Sequence, residues 1–86
     1  MKAQILVARN LRRLRVARGL SQEALAVDAG IDRTYVSRLE RELENPTVAI
    51  LEKLADALEV EIPQLFDKAA GRLPVEPLPG GRRPRK

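Results

Sequence analysis

Arg33, Thr34, Ser37, Arg38 and Arg41 lie within one short stretch, and at about 100° per residue they occupy an arc of roughly 140° on a helix. Guanidinium forks and hydroxyls gathered on one arc are donors for flat or anionic acceptors. Arg pairs bidentately with guanine O6 and N7, Thr touches a thymine methyl, and all of them reach phosphate oxygens. Arg33, Thr34 and Arg38 are therefore candidate base readers. Ser37 suits either a base edge or a phosphate, and Arg41 is a candidate phosphate contact. A solvated helix face has the same composition, so the surrounding elements decide between the two readings.

The opposite arc of that helix carries Tyr35, Val36, Leu39 and Glu40, which predicts an inward side. Upstream, Ser21 is a good N-cap for a short helix over 22–29, with Leu25, Ala26 and Ala29 inside and Gly30 supplying the positive φ of a tight turn. Asp32 caps the next helix, over 33–41. A short helix, a turn of about four residues and a second helix have the dimensions of a helix-turn-helix, and small Ala26 lets the two helices approach. A first helix over 4–18 is marked by Val7, Leu11 and Leu14 on one face and ended by Gly19. Thr47 caps a fourth, with Val48, Leu51, Leu54, Ala55 and Leu58 inward. A fifth is expected from Pro63, a favoured first position. The expectation is an all-α, compact five-helix bundle over 1–70. The following 71–86, rich in Pro, Gly and Arg, reads as a basic flexible tail.

The chain of 86 residues has a net charge of +4, no histidine, no cysteine, and one Tyr and one Phe as its aromatics. Residues 1–20 carry six basic groups and no acid, whereas 21–68 carry five basic and eleven acidic ones. Any polyanion contact in the middle segment must then come from a local patch. Without His or Cys there is no imidazole or thiolate metal site and no common acid–base group; no cofactor is expected and catalysis is disfavoured. A cysteine-free chain suits the cytoplasm. No apolar run is long enough for a bilayer, and the opening "MKAQILVARNLRR" is too short and too charged for a cleaved signal peptide.

The residues "LRRLRVARGLSQEALA", "GIDRTYVSRLE" and "NPT" before "LEKLADALEV" resemble the phage-repressor and Cro-like helix-turn-helix regulators, also called the xenobiotic response element family. The resemblance covers roughly 5–66 and implies a lambda-repressor-like DNA-binding domain. Within the family, "DRTYVSRLER" and "ALEV" look most like the controller proteins of restriction–modification systems, small dimers that bind operator DNA. The likeness implies that Gln22 grips a phosphate and braces the reading helix, and that Arg15 and Glu40 form a buried structural ion pair. Ser21, Tyr35, Arg41 and Asn45 are expected at phosphates, and Ile50, Ile62, Leu65 and Phe66, which suit either the core or a dimer surface, are expected to contribute to a homodimer surface. The chain departs from the pattern in "ELE". Glu42 stands where Gly or Asn is usual and Glu44 where a basic residue is frequent, so carboxylates face the phosphate backbone there. Glu59 likewise replaces a common glycine.

These features predict a double-stranded DNA regulator, nucleoid-associated, acting as a dimer on a pseudo-palindromic operator. An antitoxin-like autoregulator with a small toxic partner protein, and a helical protein-interaction module without DNA binding, remain alternatives.

Overall fold

The computed structural model describes residues 2–68; the expected tail over 71–86 lies outside the described residues. Helix α1 spans Ala3–Ala17, α2 Gln22–Ala29, α3 Arg33–Glu40 and α4 Val48–Leu58. A 3-10 turn over Ile62–Phe66 follows. Among the described residues every regular element is helical, but the fifth element is not the expected α-helix. Five residues leave little room for i→i+4 bonds, and the segment closes i→i+3 instead, with Gln64 N–H donating to Glu61 O at 2.9 Å. Reciprocal capping between Glu61 and Gln64, and Pro63 near the start, fix its entry.

Local chemistry sets the helix ends. Ser21 Oγ accepts from Ala24 N at 3.0 Å, Asp32 Oδ2 from Thr34 N at 2.9 Å, and Thr47 Oγ1 from Ile50 N at 3.1 Å, each satisfying an amide the helix leaves unpaired. At their C-termini all four α-helices close with the same pair of backbone bonds. Leu20, Ile31, Leu43 and Val60 donate back to Arg15, Ala26, Arg38 and Ala55, at 2.9–3.1 Å. This closure needs one left-handed residue. Gly19 and Gly30 supply it at φ 72° and 71°, whereas Glu42 and Glu59 adopt it at 66° and 59°, at a cost of about 1–2 kcal/mol each.

The core is aliphatic. Leu11, Leu25, Val36, Leu39, Leu54, Leu58 and Leu65 are fully buried, and burial of each contributes roughly 1.5–3 kcal/mol. α2 packs on α3 and α4, α1 on α3 and the 3-10 turn, and α4 on that turn. A buried polar residue ties the two ends of the fold together. Asn10, wholly enclosed, donates to Leu6 O at 3.0 Å within α1 and to Leu65 O and Asp67 O at 3.1 and 3.0 Å. Its Oδ1 accepts from Arg13 Nη2 at 2.8 Å. Leu65, expected at a dimer surface, is instead a core residue, because the 3-10 turn rotates it under α1 where Asn10 holds its carbonyl.

Candidate nucleic-acid interface

α3 is anchored along one edge and open along the other. Val36 and Leu39 have no exposed surface, while Arg33, Thr34 and Arg41 are exposed and Ser37 is half-buried. The anchoring is reinforced at Glu40. Arg15 Nε lies 2.6 Å from Glu40 Oε2 and Arg15 Nη2 2.9 Å from Oε1, with both side chains 4% exposed. Arg15 Nη1 also donates to Leu20 O at 2.8 Å, which joins α1 to the loop before α2. Gln22 Nε2 donates to Glu40 Oε1 at 3.1 Å. The Gln22 amide is thus oriented by the same carboxylate, and an amide nitrogen has a second hydrogen to offer elsewhere.

Gln22 also lines an open cleft of about 560 Å³, together with Arg12, Ser21, Arg33 and Arg41 among others. The cleft opens at the N-terminus of α2, whose positive helix end favours an anion, and Glu23 and Glu40 line it beside the arginines. Ser21 Oγ accepts within the helix cap and retains a hydroxyl hydrogen to donate. Arg12 joins this group although sequence reasoning did not single it out. It sits among several arginines of α1, and only the packing of α1 against α3 shows which of them turns toward the cleft.

The expected base readers are not equivalent. Arg33 and Thr34 have side chains directed to solvent, and among the described residues Arg33 has no ion-pair partner. Arg38 does have one: its Nε lies 2.7 Å from Glu44 Oε2, and its Nη2 is 3.4 Å from Leu43 O. Glu44, expected to face phosphates as an isolated carboxylate, is partly neutralised by this pair. Tyr35 is half-buried against the core, and burial, then the Glu44 charge, pushes its hydroxyl pKa above 10.0. Asn45 is exposed beside this loop.

Ile50 and Ile62 are half-buried against the core and Phe66 is 37% exposed. They lie on α4 and the 3-10 turn, which pack together. Among the described residues no cluster of three or more His, Cys, Asp or Glu is placed to hold a metal ion, and no helix is long and apolar enough to cross a membrane.

Two helices joined by a glycine turn, the first braced to the second by Gln22 and Glu40 and the second open along its arginine edge, define a helix-turn-helix domain. The chain belongs to the helix-turn-helix family HTH_3, which matches residues 11–65. It is 48% identical over 60 residues to a hypothetical transcription factor of Neisseria meningitidis, covering 70% of this chain and 57% of that protein. The chain thus spans about half the length of the first curated relatives it matches. The restriction–modification controller protein C.AhdI from Aeromonas hydrophila superposes with a TM-score of 0.71 at 44% identity, over 73% of this chain and 96% of that one. The controller protein C.Esp1396I, solved as a tetramer with its natural 35 base-pair operator, does so with 0.72 at 30% identity, over 84% and 93%. These relatives are transcription regulators and controller proteins, a non-enzymatic group.

Proposed function

We propose that the chain is a sequence-specific double-stranded DNA-binding transcription regulator that occupies a pseudo-palindromic operator as a homodimer, on the nucleoid in the cytoplasm. The observation that carries this reading is α3 itself. Its Val36 and Leu39 edge is fully buried, and its Arg33 and Thr34 edge is open to solvent. A helix so held enters the major groove with guanidinium and hydroxyl groups at base edges. In this reading Arg33, Thr34, Ser37 and Arg38 read bases. Gln22, Ser21, Tyr35, Arg41 and Asn45 meet phosphates, with Arg12 added from the cleft. The operator complex of C.Esp1396I, a relative of the same fold, supports a DNA partner. Ile50, Ile62 and Phe66, on two elements that pack together, supply apolar surface for a dimer.

Selection of duplexes from a random pool, followed by sizing of the bound species, tests the proposal. Enrichment of a site with two related half-sites about 34 Å apart, bound by two chains, is the expected outcome. A pool that stays unenriched, with binding that ignores sequence, overturns base reading.

A further inference from the structure

We infer that Glu44 is a specificity-determining residue that positions Arg38 for base reading, and that it lowers general affinity for DNA in exchange for discrimination at one base pair. The inference rests on the DNA-reading function proposed above.

A carboxylate at the edge of a surface that meets phosphates repels them, and as an isolated group Glu44 only weakens binding. Its surroundings give it a second role. The Glu44 carboxylate engages Arg38 through Nε at 2.7 Å, and the Arg38 side chain remains 44% exposed. With Nε on Glu44 and one Nη2 hydrogen on Leu43 O at 3.4 Å, the guanidinium cannot swing freely, and the end-on edge, one hydrogen each from Nη1 and Nη2, is left for an outside acceptor. That edge matches the paired acceptors O6 and N7 of guanine. An unrestrained arginine on the same helix reaches neighbouring phosphates as readily as bases.

Glu44 is itself held in place. The α3 C-terminus closes with Glu42 N–H on Leu39 O at 3.1 Å and Leu43 N–H on Arg38 O at 2.9 Å, and Glu42 is left-handed. From α1, Gln4 Nε2 donates to both Glu42 O and Glu44 O at 3.0 Å. The loop is therefore fixed from two sides before any DNA arrives, and the carboxylate it carries is a pre-set stop for the guanidinium. The pKa of Tyr35, on the same helix, is raised first by burial and second by the Glu44 charge.

The experiment uses the full chain as wild type, Glu44→Gln, Glu44→Asp, Arg38→Ala and Glu44→Gln with Arg38→Ala. Each is titrated against the preferred duplex, its single-base-pair variants and a scrambled duplex, at several salt concentrations, with melting curves to confirm the fold. Glu44→Gln is expected to bind the scrambled duplex more tightly, to steepen its log K against log salt slope by about 0.9, the contribution of one further phosphate contact, and to lose roughly tenfold discrimination at one base pair. Arg38→Ala is expected to lose discrimination at the same base pair, with Glu44→Gln adding no further loss of discrimination in that background. Glu44→Asp, which keeps the charge but withdraws the carboxylate, is expected to lose discrimination without gaining scrambled-duplex affinity. Without DNA, the Arg38 Nε–H resonance is expected to be protected from exchange in wild type and unprotected in Glu44→Gln. If Glu44→Gln tightens every duplex equally and keeps all base preferences, Glu44 is only a repelling charge and the inference is wrong. A wild type without base preference instead overturns the function on which it rests, and the wild-type titrations alone show that.

Discussion

Arg15 and Gln22 meet on one carboxylate oxygen: Glu40 Oε1 accepts from Arg15 Nη2 at 2.9 Å and from Gln22 Nε2 at 3.1 Å. The contact joins α1, the start of α2 and the end of α3 at a point almost closed to water. Removal of one member leaves a buried charge without its partner, so Arg15→Ala is expected to destabilise the fold by about 3–5 kcal/mol. Gln22→Ala, which removes a single hydrogen bond to a charged group, is expected to cost about 1.5–3 kcal/mol. Urea unfolding of both variants measures the difference. Equal midpoints for wild type and Arg15→Ala would remove the pair from the scaffold.

Arg33 and Arg12 face the same cleft from different elements, and binding separates their roles. Arg33→Ala is expected to lose about 1–3 kcal/mol on the preferred duplex and to relax preference at one base position. Arg12→Ala is expected to weaken all duplexes alike and to make the salt slope shallower by about one. Competition titrations against single-base variants distinguish the two patterns. An Arg12→Ala effect confined to one base pair contradicts a phosphate role.

Much of this arrangement was legible in the sequence because its causes are local. The caps at Ser21, Asp32 and Thr47 and the left-handed Gly30 are set by residues within three or four positions, and the outward arc of α3 follows from helical period alone. Arg15 and Glu40 needed the resemblance as well as their projections. What stayed hidden depends on tertiary approach. Gln4 reaches a loop 38 and 40 residues away, and Asn10 reaches carbonyls 55 and 57 residues away; no period or spacing encodes either. The core position of Leu65 is not legible because a five-residue 3-10 segment is too short to reveal its inner face. The sequence shows only the charge of Glu44, since its pairing with Arg38 depends on how the chain turns after α3.

Asn10 carries the link between α1 and the C-terminal turn. Asn10→Ala leaves the buried Leu65 carbonyl without the donor seen here, and is expected to cost about 1–3 kcal/mol. Hydrogen exchange gives the sharper readout. Protection is expected to fall first at 62–66, with α2 and α3 less affected. Uniform loss across the chain would show that Asn10 supports the whole core and not this junction.

Glu42 and Glu59 hold left-handed positions that Gly19 and Gly30 occupy at the other two helix ends. At Glu59 the side chain makes only a 3.5 Å exposed pair with Arg18, which contributes little. Glu59→Gly relieves about 1–2 kcal/mol of strain against roughly 0.4–1 kcal/mol of added unfolded-state entropy. The variant is therefore expected to be more stable by up to about 1 kcal/mol, seen as a higher urea midpoint with an unchanged slope. A lower midpoint would show that Glu59 adopts this backbone without strain.

Tyr35 is the single tyrosine in a chain without tryptophan, so tyrosinate absorbance reports it alone. Burial against the core and the nearby Glu44 carboxylate both disfavour the phenolate, and the folded midpoint is expected above 10.0. Because the folded pKa is raised, the associated stability is fully present below pH 10.0 and is lost as pH rises from there through the folded value. Glu44→Gln removes the smaller cause and leaves burial, so its midpoint is expected to fall but to stay above that of the unfolded chain. A midpoint indifferent to Glu44→Gln would mean that the carboxylate, paired with Arg38, exerts no charge effect on Tyr35.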